Sequence, residues 1–203
     1  MKTRITGNNI VKARRLLDIM VDYLDSQDIE YHLEGGTLLG FVRDGEFLEW
    51  DFDIDISIPQ KFTDKFYAGR RKLWIKGYRV SKRRSRLSYG PIDKGNIRIF
   101  KIKRTFLSWL ATISHSIRDN LLVADVFIKF DDGHDVFWIA KEKVMKTSNV
   151  YYNGFDEVEY NGRSYKVPLQ HKSYLTQKYG DWSIPVKNWD CANDEKSVVA
   201  SII

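Results

Sequence analysis

The chain has 203 residues, of which 43% are hydrophobic, and this is enough to build one domain with a substantial core. Its formal net charge is +6, which favours anionic partners such as nucleotide phosphates, phosphorylated glycans, anionic membrane surfaces or nucleic acid. The single cysteine, Cys191, excludes an intramolecular disulfide and a cysteine-based zinc site. We find no repeats, low-complexity tracts or linkers, so we expect one compact α/β domain over residues 1–203.

The N-terminal part predicts a helix and no targeting segment. Apolar side chains recur at helical spacing from Asn9 to Gln27, and either Asn8 or Asn9 would cap this helix. Basic residues interrupt the N-terminus before any apolar run, so no secretory signal is visible and we expect a cytoplasmic protein. The most apolar stretch, Phe106 to Ile117, is too short to span a bilayer, and peripheral contact with a membrane stays open as an alternative.

A glycine pair, Gly35-Gly36, should end a short strand, because glycine tolerates positive φ and lets a ligand approach the backbone closely. Thr37 to Arg43 then predicts a short helix whose free N–H groups and dipole favour a phosphate at its N-terminus. Arg43 could neutralise a donor phosphate, since a guanidinium suits bidentate phosphate contact, and a salt bridge to one of the aspartates that follow is the alternative. We interpret Glu34 as a plain surface carboxylate, with a role in orienting the glycine pair as the alternative.

Three aspartates, Asp51, Asp53 and Asp55, occupy alternate positions of an apolar, strand-like segment. Because side chains on a strand alternate between its two faces, all three carboxylates project from one side. Two carboxylates about 4 Å apart repel by about 4 kcal/mol at an effective dielectric of about 20, and hard divalent cations such as Mg²⁺ relieve that repulsion. The sequence therefore predicts a metal site here, with a solvated acidic edge strand as the alternative.

The middle of the chain predicts a second helix over Phe62 to Gly77, a basic, turn-rich segment over Arg79 to Tyr89, and a strand over Asn96 to Lys103. Two basic clusters lie in this part. They consist of Lys82-Arg83-Arg84 with Arg86, and of Lys101, Lys103 and Arg104. Such runs usually form a solvated face, and the functional alternative is an acceptor site for an anionic polymer or phosphosugar.

The next predicted strand, Leu121 to Phe130, is apolar except for Asp125 and Lys129. An unpaired charge inside an apolar strand costs several kcal/mol, so Asp125 requires either a metal or an ion-pair partner. We favour a role for Asp125 in the same site as the three aspartates, with a buried ion pair to a lysine or arginine as the alternative. His134 to Ala140 would complete a hairpin with this strand.

Two further elements follow toward the C-terminus. Phe155 to Tyr160 and Ser164 to Val167 flank Asn161-Gly162, which is typical of a type I′ hairpin. Leu169 to Tyr179 predicts a final helix. We interpret Tyr179 and Trp182 as aromatic packing of this helix, with stacking on a base or sugar as the alternative. The histidines have no partner at a recognisable spacing, so we interpret all four as structural: His32, His115, His134 and His171.

Two segments of the chain resemble the motifs of a known family. The segment from Gly35 to Arg43, followed by Trp50-Asp51-Phe52-Asp53-Ile54-Asp55, closely resembles the signature of the LicD/fukutin family, and the segment from Val167 to Pro185 resembles its closing segment. The middle, about residues 78–120, diverges. The resemblance implies an α/β (α+β) fold with a nucleotidyltransferase-like mixed β-sheet flanked by helices. It also implies transfer of a phospho-alcohol, such as phosphocholine or ribitol phosphate, from a CDP-linked donor to a glycan.

The resemblance also assigns roles to individual residues. Asp53 and Asp55 match the Asp-x-Asp position of the nucleotidyltransferase superfamily. With Asp125 they would be the catalytic and metal-binding residues for Mg²⁺ or Mn²⁺, and Asp51 is a further candidate ligand. The expected substrate-binding residues are Gly35, Gly36, Thr37 and Arg43.

The expected reaction is attack of an acceptor hydroxyl on the donor phosphorus, with release of CMP. The partners implied are a nucleotide-linked donor, the CDP-alcohol, and a glycan or phosphosugar acceptor, and we do not expect nucleic acid. Two alternatives stay open. One is a nucleotidyltransferase proper, which moves NMP from an NTP to a small molecule, protein or RNA and releases pyrophosphate. The other is a non-catalytic anion-binding protein that uses its basic surface.

Overall fold

The computed structural model describes residues 4–105, 122–186, 189–190 and 193–201. The helices of these ranges, α1 to α5 in chain order, are Asn8–Asp25, Gly35–Arg43, Thr63–Ala68, Arg71–Ile75 and His171–Tyr179. Short 3₁₀ helices span Gln60–Phe62 and Asn149–Tyr152. None of the described helices has the length and apolar character that crossing a membrane requires. The apolar stretch Phe106 to Ile117 and Cys191 lie outside the described residues.

The described strands make one mixed sheet and one separate hairpin. They are, from β1 to β10, His32–Leu33, Asp53–Pro59, Tyr78–Arg84, Ile97–Arg104, Val123–Asp131, Asp135–Ala140, Lys143–Ser148, Phe155–Tyr160, Arg163–Pro168 and Val198–Ser201. The main path of the sheet runs β1-β2-β5-β6-β7-β10, and β4 joins β5 to β3. Strands β8 and β9 form the separate hairpin. The mixed α/β architecture that the sequence predicts is confirmed.

The parallel pair β2 and β5 places the predicted acidic residues side by side. Asp55 lies directly opposite Asp125 in this register, and Asp53 lies opposite Val123. The other described pairs of the sheet are antiparallel. A parallel pair requires a long connection between its two strands, and here β3 and β4 lie within that connection. Residues far apart in the chain therefore meet at one place.

The two faces of β2 have different environments because its side chains alternate. Ile54, Ile56 and Ile58 are fully buried in the main hydrophobic cluster. Helix α1 contributes buried side chains to the same cluster, among them Leu17 and Met20. Burial of an aliphatic side chain of this size stabilises a fold by about 1.5 to 3 kcal/mol. The apolar face of β2 therefore anchors the strand, and the opposite face carries the aspartates.

The predicted helix over Phe62 to Gly77 is wrong in its length, because the chain forms α3 and α4 with a break at Gly69. A Cβ atom at Gly69 would lie 2.7 Å from the hydroxyl oxygen of Tyr23 in α1. The Tyr23 hydroxyl also donates a hydrogen bond to the carbonyl of Phe66. The close packing of α1 against this segment therefore explains why a glycine stands at the break.

Two further local predictions are wrong. The cap of α1 is Gly7, whose φ is 53°, and neither Asn8 nor Asn9 caps the helix with its side chain, because both lie in its first turn. The segment predicted as turn-rich, Arg79 to Tyr89, begins as strand β3, which pairs with β4. Its charged residues obscure the alternation that would have indicated a strand.

The second hairpin and the last helix agree with the predictions from the sequence. Asn161 and Gly162 both have positive φ, 52° and 75°, as a type I′ turn requires. Helix α5 ends at Tyr179 and is followed by Gly180 with a φ of 75°. Helix α5 contributes Tyr179 to the lining of the cleft described below.

Candidate functional site

A cleft of about 380 Å³ lies beside the aspartates. One wall is formed by the start of α2 and by the loop and strand that carry Asp51, Asp53 and Asp55. The opposite wall is aromatic and comes from β5, β6, α5 and the residues after α5. It includes Phe127, Trp138, Tyr179, Trp182 and Trp189. The cleft therefore combines a carboxylate cluster with an apolar surface that suits a flat ring system.

The three aspartates form the candidate metal-binding group of the described residues. One carboxylate oxygen from each of Asp51, Asp53 and Asp55 lies within 4.8 Å of the others. All three side chains are half-buried, so solvent screens their mutual repulsion only in part. Burial, and then the charges of Asp53, Asp51 and Asp125, raise the pKa of Asp55 well above its ordinary value. An all-oxygen, negatively charged donor set of this kind fits Mg²⁺ or Mn²⁺.

Asp125 lies next to this cluster but is not one of its three members. Its Oδ2 accepts a hydrogen bond of 2.5 Å from the ammonium of Lys101 on β4. Its Oδ1 is buried and has no hydrogen-bond partner among the described residues. Burial raises the pKa of Asp125, although the charge of Lys101 opposes that shift. The ion pair considered from the sequence is therefore present at Oδ2, and it does not involve Oδ1.

The glycine pair makes room for two of the carboxylates. A Cβ atom at Gly36 would lie 1.8 Å from Oδ2 of Asp51, and one at Gly35 would lie 2.1 Å from Oδ2 of Asp55. Gly35 also has a φ of 53°, which disfavours a side chain there. The backbone amide of Gly36 donates a hydrogen bond of 3.3 Å to Oδ2 of Asp55. Both glycines therefore hold carboxylates at the N-terminus of α2, and their contact with a phosphate stays a prediction.

The other two predicted substrate-binding residues have partners of their own. The hydroxyl of Thr37 accepts a 3.0 Å hydrogen bond from the amide of Asp55 and thereby ties α2 to β2. Arg43 lines the cleft, and its guanidinium donates two hydrogen bonds to the carboxylate of Asp44. It also lies 5.5 Å from the ring centroid of Trp50. The salt bridge considered from the sequence is thus formed with the neighbouring residue and not with the aspartate cluster.

The interpretation of Glu34 as a surface carboxylate is wrong, because its exposed fraction is 2%. Its Oε1 lies 2.9 Å from the ammonium of Lys129, and its Oε2 lies 3.3 Å from that of Lys178. The hydroxyls of Tyr152 and Tyr174 donate further hydrogen bonds to it. Burial alone would raise the pKa of Glu34, but the two lysines outweigh that effect and lower it.

Glu34, its two lysines and its two tyrosines form a buried network that connects several elements of the site. Glu34 directly precedes α2 and its backbone amide donates a 3.0 Å hydrogen bond to the carbonyl of Asp55. Lys178 belongs to α5 and lies 3.5 Å from Glu195, while Lys129 belongs to β5. Glu34 therefore joins the start of α2 to β5, α5 and the C-terminal segment.

Two residues of the site were passed over at the level of sequence. Lys129 lies in the middle of a buried apolar strand, with its ammonium 3.4 Å from the ring centroid of Trp138. Burial lowers the pKa of Lys129 to about 8. Lys178 is buried in α5 and lines the cleft. A lysine inside an apolar strand is itself a signal, since a buried ammonium requires a carboxylate or a ring face as partner.

With this geometry established, comparisons with known proteins identify the family. The model of the LicD/FKTN/FKRP family, nucleotidyltransferase domain, matches residues 28–170. The chain belongs to this family. The match includes α2, β2 and β5, and so it covers the glycine pair and all four aspartates. Family membership indicates an enzyme that transfers phosphorus-containing groups.

The LicD chain is similar to three curated proteins. It is 44% identical over 39 residues to the ribitol 5-phosphate transferase FKRP of Mus musculus and of Homo sapiens, a segment that is 19% of this chain and 8% of those proteins. It is 24% identical over 182 residues to an uncharacterised protein of Rickettsia prowazekii, which is 89% of this chain and 59% of that one. The chain thus covers a small part of the FKRP proteins and about three-fifths of the bacterial relative.

Two solved structures resemble the chain weakly, each at 16% identity. The lincosamide antibiotic adenylyltransferase LnuA, lincomycin-bound, has a TM-score of 0.46, and the alignment covers 79% of this chain and 83% of that one. ANT(2")-Ia in complex with adenylyl-2"-tobramycin has a TM-score of 0.42, with 88% and 81% covered. Both TM-scores are below 0.5, so neither structure carries weight for the fold or the function of this LicD protein.

The space at Gly36 generates a first prediction. Gly36→Ala should destabilise the protein because its Cβ displaces the carboxylate of Asp51, while Gly36→Ala combined with Asp51→Ala should lose less stability than Gly36→Ala alone. Chemical denaturation of the wild type, both single variants and the double variant gives the coupling energy. We expect a coupling of about 1 kcal/mol or more, in the range found for contacting residues. Additive effects would show that the two side chains do not compete for the same space.

The raised pKa of Asp55 generates a second prediction, for the protein in EDTA. Between the ordinary pKa of 3.8 and the raised value, the folded state binds more protons than the unfolded state. The free energy of unfolding should therefore fall as pH rises through this window, and Asp55→Asn should flatten the fall. Urea denaturation at a series of pH values above 4 measures it. Equal slopes in the wild type and Asp55→Asn would contradict the crowding of charges.

The Glu34 network generates a third prediction. Glu34→Gln should cost about 3 to 5 kcal/mol of stability, since it leaves buried lysines without their carboxylate. Glu30→Gln is the matched control, because Glu30 forms an exposed ion pair with Lys61 and should contribute about 1 kcal/mol or less. Denaturation of both variants in the same buffer tests the contrast. Similar losses for the two would show that Glu34 is not buried among the lysines.

Proposed function

We propose that this LicD-family protein is a metal-dependent phosphotransferase, which moves a phospho-alcohol from a CDP-linked donor to a hydroxyl of a glycan or glycoconjugate and releases CMP. Phosphocholine and ribitol phosphate are the two candidate groups, and the local similarity to the FKRP proteins favours the second. The observation that carries the proposal is the carboxylate group Asp51, Asp53 and Asp55 at the N-terminus of α2, beside an aromatic cleft.

The metal would be held by Asp53 and Asp55, with Asp51 and the free oxygen of Asp125 as further ligands. The carboxylates of Asp51, Asp53 and Asp55, with Asp125 opposite Asp55 in the sheet, form an all-oxygen, negatively charged donor set that fits Mg²⁺ or Mn²⁺. When bound, such an ion neutralises the carboxylates and polarises the phosphoryl oxygens of the donor.

The chain's own residues would position the donor. The aromatic wall at Tyr179 and Trp182 offers a surface for the cytosine ring, since an aromatic ring stacks on a base with little dependence on sequence. The Asp44–Arg43 pair at the cleft offers a guanidinium that a phosphate could recruit from its present partner. The buried network at Glu34 keeps the start of α2, and hence the glycine pair, in a fixed place.

The transfer step breaks one bond and forms one. The acceptor oxygen attacks the donor phosphorus that carries the alcohol, a new P–O bond forms, and the bond from that phosphorus to CMP breaks. The proton of the acceptor hydroxyl leaves to a carboxylate of the site. Lys101, in contact with Asp125, favours the ionised form of that carboxylate, which is the form that binds a metal.

A nucleotidyltransferase proper is the second candidate, because the matching family is described as a nucleotidyltransferase domain. It would use the same carboxylates but act on an NTP and release pyrophosphate in place of CMP. Analysis of the released product separates the two functions directly, since a CDP-alcohol donor yields CMP and an NTP donor yields pyrophosphate.

Thermal stabilisation is the experiment that tests the proposal. CDP-choline, CDP-ribitol, CDP-glycerol, CMP, CTP and other NTPs are each added with and without Mg²⁺ to the wild type and to Asp53→Asn. We expect stabilisation by one CDP-alcohol that requires Mg²⁺ and is lost in the variant. A response confined to NTPs would favour the nucleotidyltransferase, and no response to any nucleotide would contradict both enzymes.

Asp53→Asn also gives a prediction for the protein without metal. The substitution removes one charge from a crowded group, so its melting temperature in EDTA should equal or exceed that of the wild type, while turnover is abolished. Differential scanning calorimetry in EDTA and a CMP-release assay measure the two effects. A clear fall in the melting temperature would show that Asp53 is a structural residue.

A further inference from the structure

The face of the sheet that carries the candidate site continues into a row of basic residues. Directly opposed residues of neighbouring strands project from the same face. Asp55 on β2 is opposite Asp125 on β5, Asp125 is opposite Lys101 on β4, and Lys101 is opposite Ser81 on β3. These four residues therefore form a row across four strands on one face of the sheet, in which two carboxylates are followed by a lysine.

The neighbouring lines add three more cations to this face. Asp53 is opposite Val123, Val123 is opposite Lys103, and Lys103 is opposite Arg79. Arg83 lies opposite Ile99, two residues before Lys101 on β4. Neighbouring strands are about 4.8 Å apart, so Lys103 is about 10 Å from Asp53 along the sheet.

These three cations, Arg79, Arg83 and Lys103, form what we term the basic strip. Lys101 is neutralised by Asp125, but within the described part of the chain no carboxylate forms an ion pair with a member of the basic strip. Burial, and then the charge of Lys101, lower the pKa of Lys103; the charge of Asp125 opposes this shift, and those of Arg83 and Arg79 add to it. Positive charge on this face is therefore in excess, as negative charge is at the aspartates.

The opposite face of the same strand provides a contrast. Lys82 is opposite the fully buried Phe100, and its ammonium lies 4.5 Å from the ring centroid of Tyr67. Lys82 and Arg83 are adjacent in the sequence but belong to different faces of β3. Strand β3 thus divides the basic cluster that contains Lys82 and Arg83 between its two faces. Of these two residues, only Arg83 lies on the face of the candidate site.

We propose that the basic strip, whose Lys103 lies about 10 Å from Asp53 along the sheet, binds an oxyanion of the acceptor, a phosphate or carboxylate group on the glycan. This inference rests on the proposed function and extends it, because it specifies that the acceptor carries a negatively charged group. The aromatic cleft is the place for the donor, and none of the three residues of the basic strip lines it. The basic strip lies toward β4 and β3, where the acceptor would approach Asp125.

Arginine and lysine at this spacing suit a phosphate of a polymer. A guanidinium offers two parallel donors to one oxyanion, while an ammonium acts as a compact charge. Arg79 and Arg83 are exposed and Lys103 is half-buried, so a ligand has access to all three. An acceptor with a phosphate near its reacting hydroxyl would gain affinity from this strip, and a neutral glycan would not.

Binding of a defined probe tests the inference. We would titrate a fluorescently labelled glycerol-phosphate oligomer and a neutral dextran of equal length into the wild type, Arg79→Gln/Lys103→Gln and Lys82→Gln. The oligomer should bind the wild type more tightly than the dextran. Its affinity should fall about tenfold in Arg79→Gln/Lys103→Gln, which loses charge-assisted hydrogen bonds, and change less than twofold in Lys82→Gln.

A second measurement separates this inference from the proposed function. Mg²⁺-dependent stabilisation by the CDP-alcohol should be equal in the wild type and both variants, because the basic strip lies outside the donor cleft. If the donor binds but the oligomer binds all three proteins equally, the basic strip is a solvated face and the inference is overturned. If single-stranded RNA of equal charge binds the basic strip more tightly than the oligomer, the glycan phosphate is the wrong occupant. If no donor binds, the proposed function itself fails.

Discussion

The crowding of carboxylates at the start of α2 is the constraint on which the rest of the structure depends. Asp51, Asp53 and Asp55 each offer an oxygen within 4.8 Å of the others, and two charges at this separation repel by about 3 kcal/mol at an effective dielectric of about 20. The hydrogen bonds of the sheet do not by themselves compensate this repulsion between the carboxylates. The backbone of Gly35-Gly36 approaches the carboxylates so closely that any side chain there would collide with them. The fold therefore concentrates negative charge at this site.

The Glu34 network shows the opposite solution to buried charge. There a carboxylate is surrounded by two ammonium groups and two hydroxyls, so its charge is satisfied within the protein. A buried polar network whose charges are fully paired makes the surrounding structure rigid, and the Glu34 network fixes α2 against β5 and α5. At the aspartates, by contrast, three carboxylates lie close together, and we propose that a divalent cation compensates their charge. Glu34 directly precedes the glycine pair, and its backbone amide donates a hydrogen bond to the carbonyl of Asp55, so the network helps to position the strand that carries the aspartates.

The sequence predicted what local patterns determine. The alternate aspartates, the glycine pair and the hairpin at Asn161-Gly162 are each visible within a few residues, and the fold class and the family are confirmed. Glu34 was misjudged because its partners come from distant elements, with Lys178 separated from it by 144 residues. The break at Gly69 was missed for a similar reason, since it depends on contact with α1.

The measurement that tests this account most directly is Mn²⁺ binding by the protein without nucleotide, followed by electron paramagnetic resonance. The account predicts a Mn²⁺ site in the wild type that is lost in Asp53→Asn and retained in Asp93→Asn, where an exposed aspartate away from the cluster is changed. Competition by Mg²⁺ should release the bound Mn²⁺. Equal binding in the wild type and Asp53→Asn, or no binding in either, would contradict the claim that the carboxylates are gathered to hold a divalent cation.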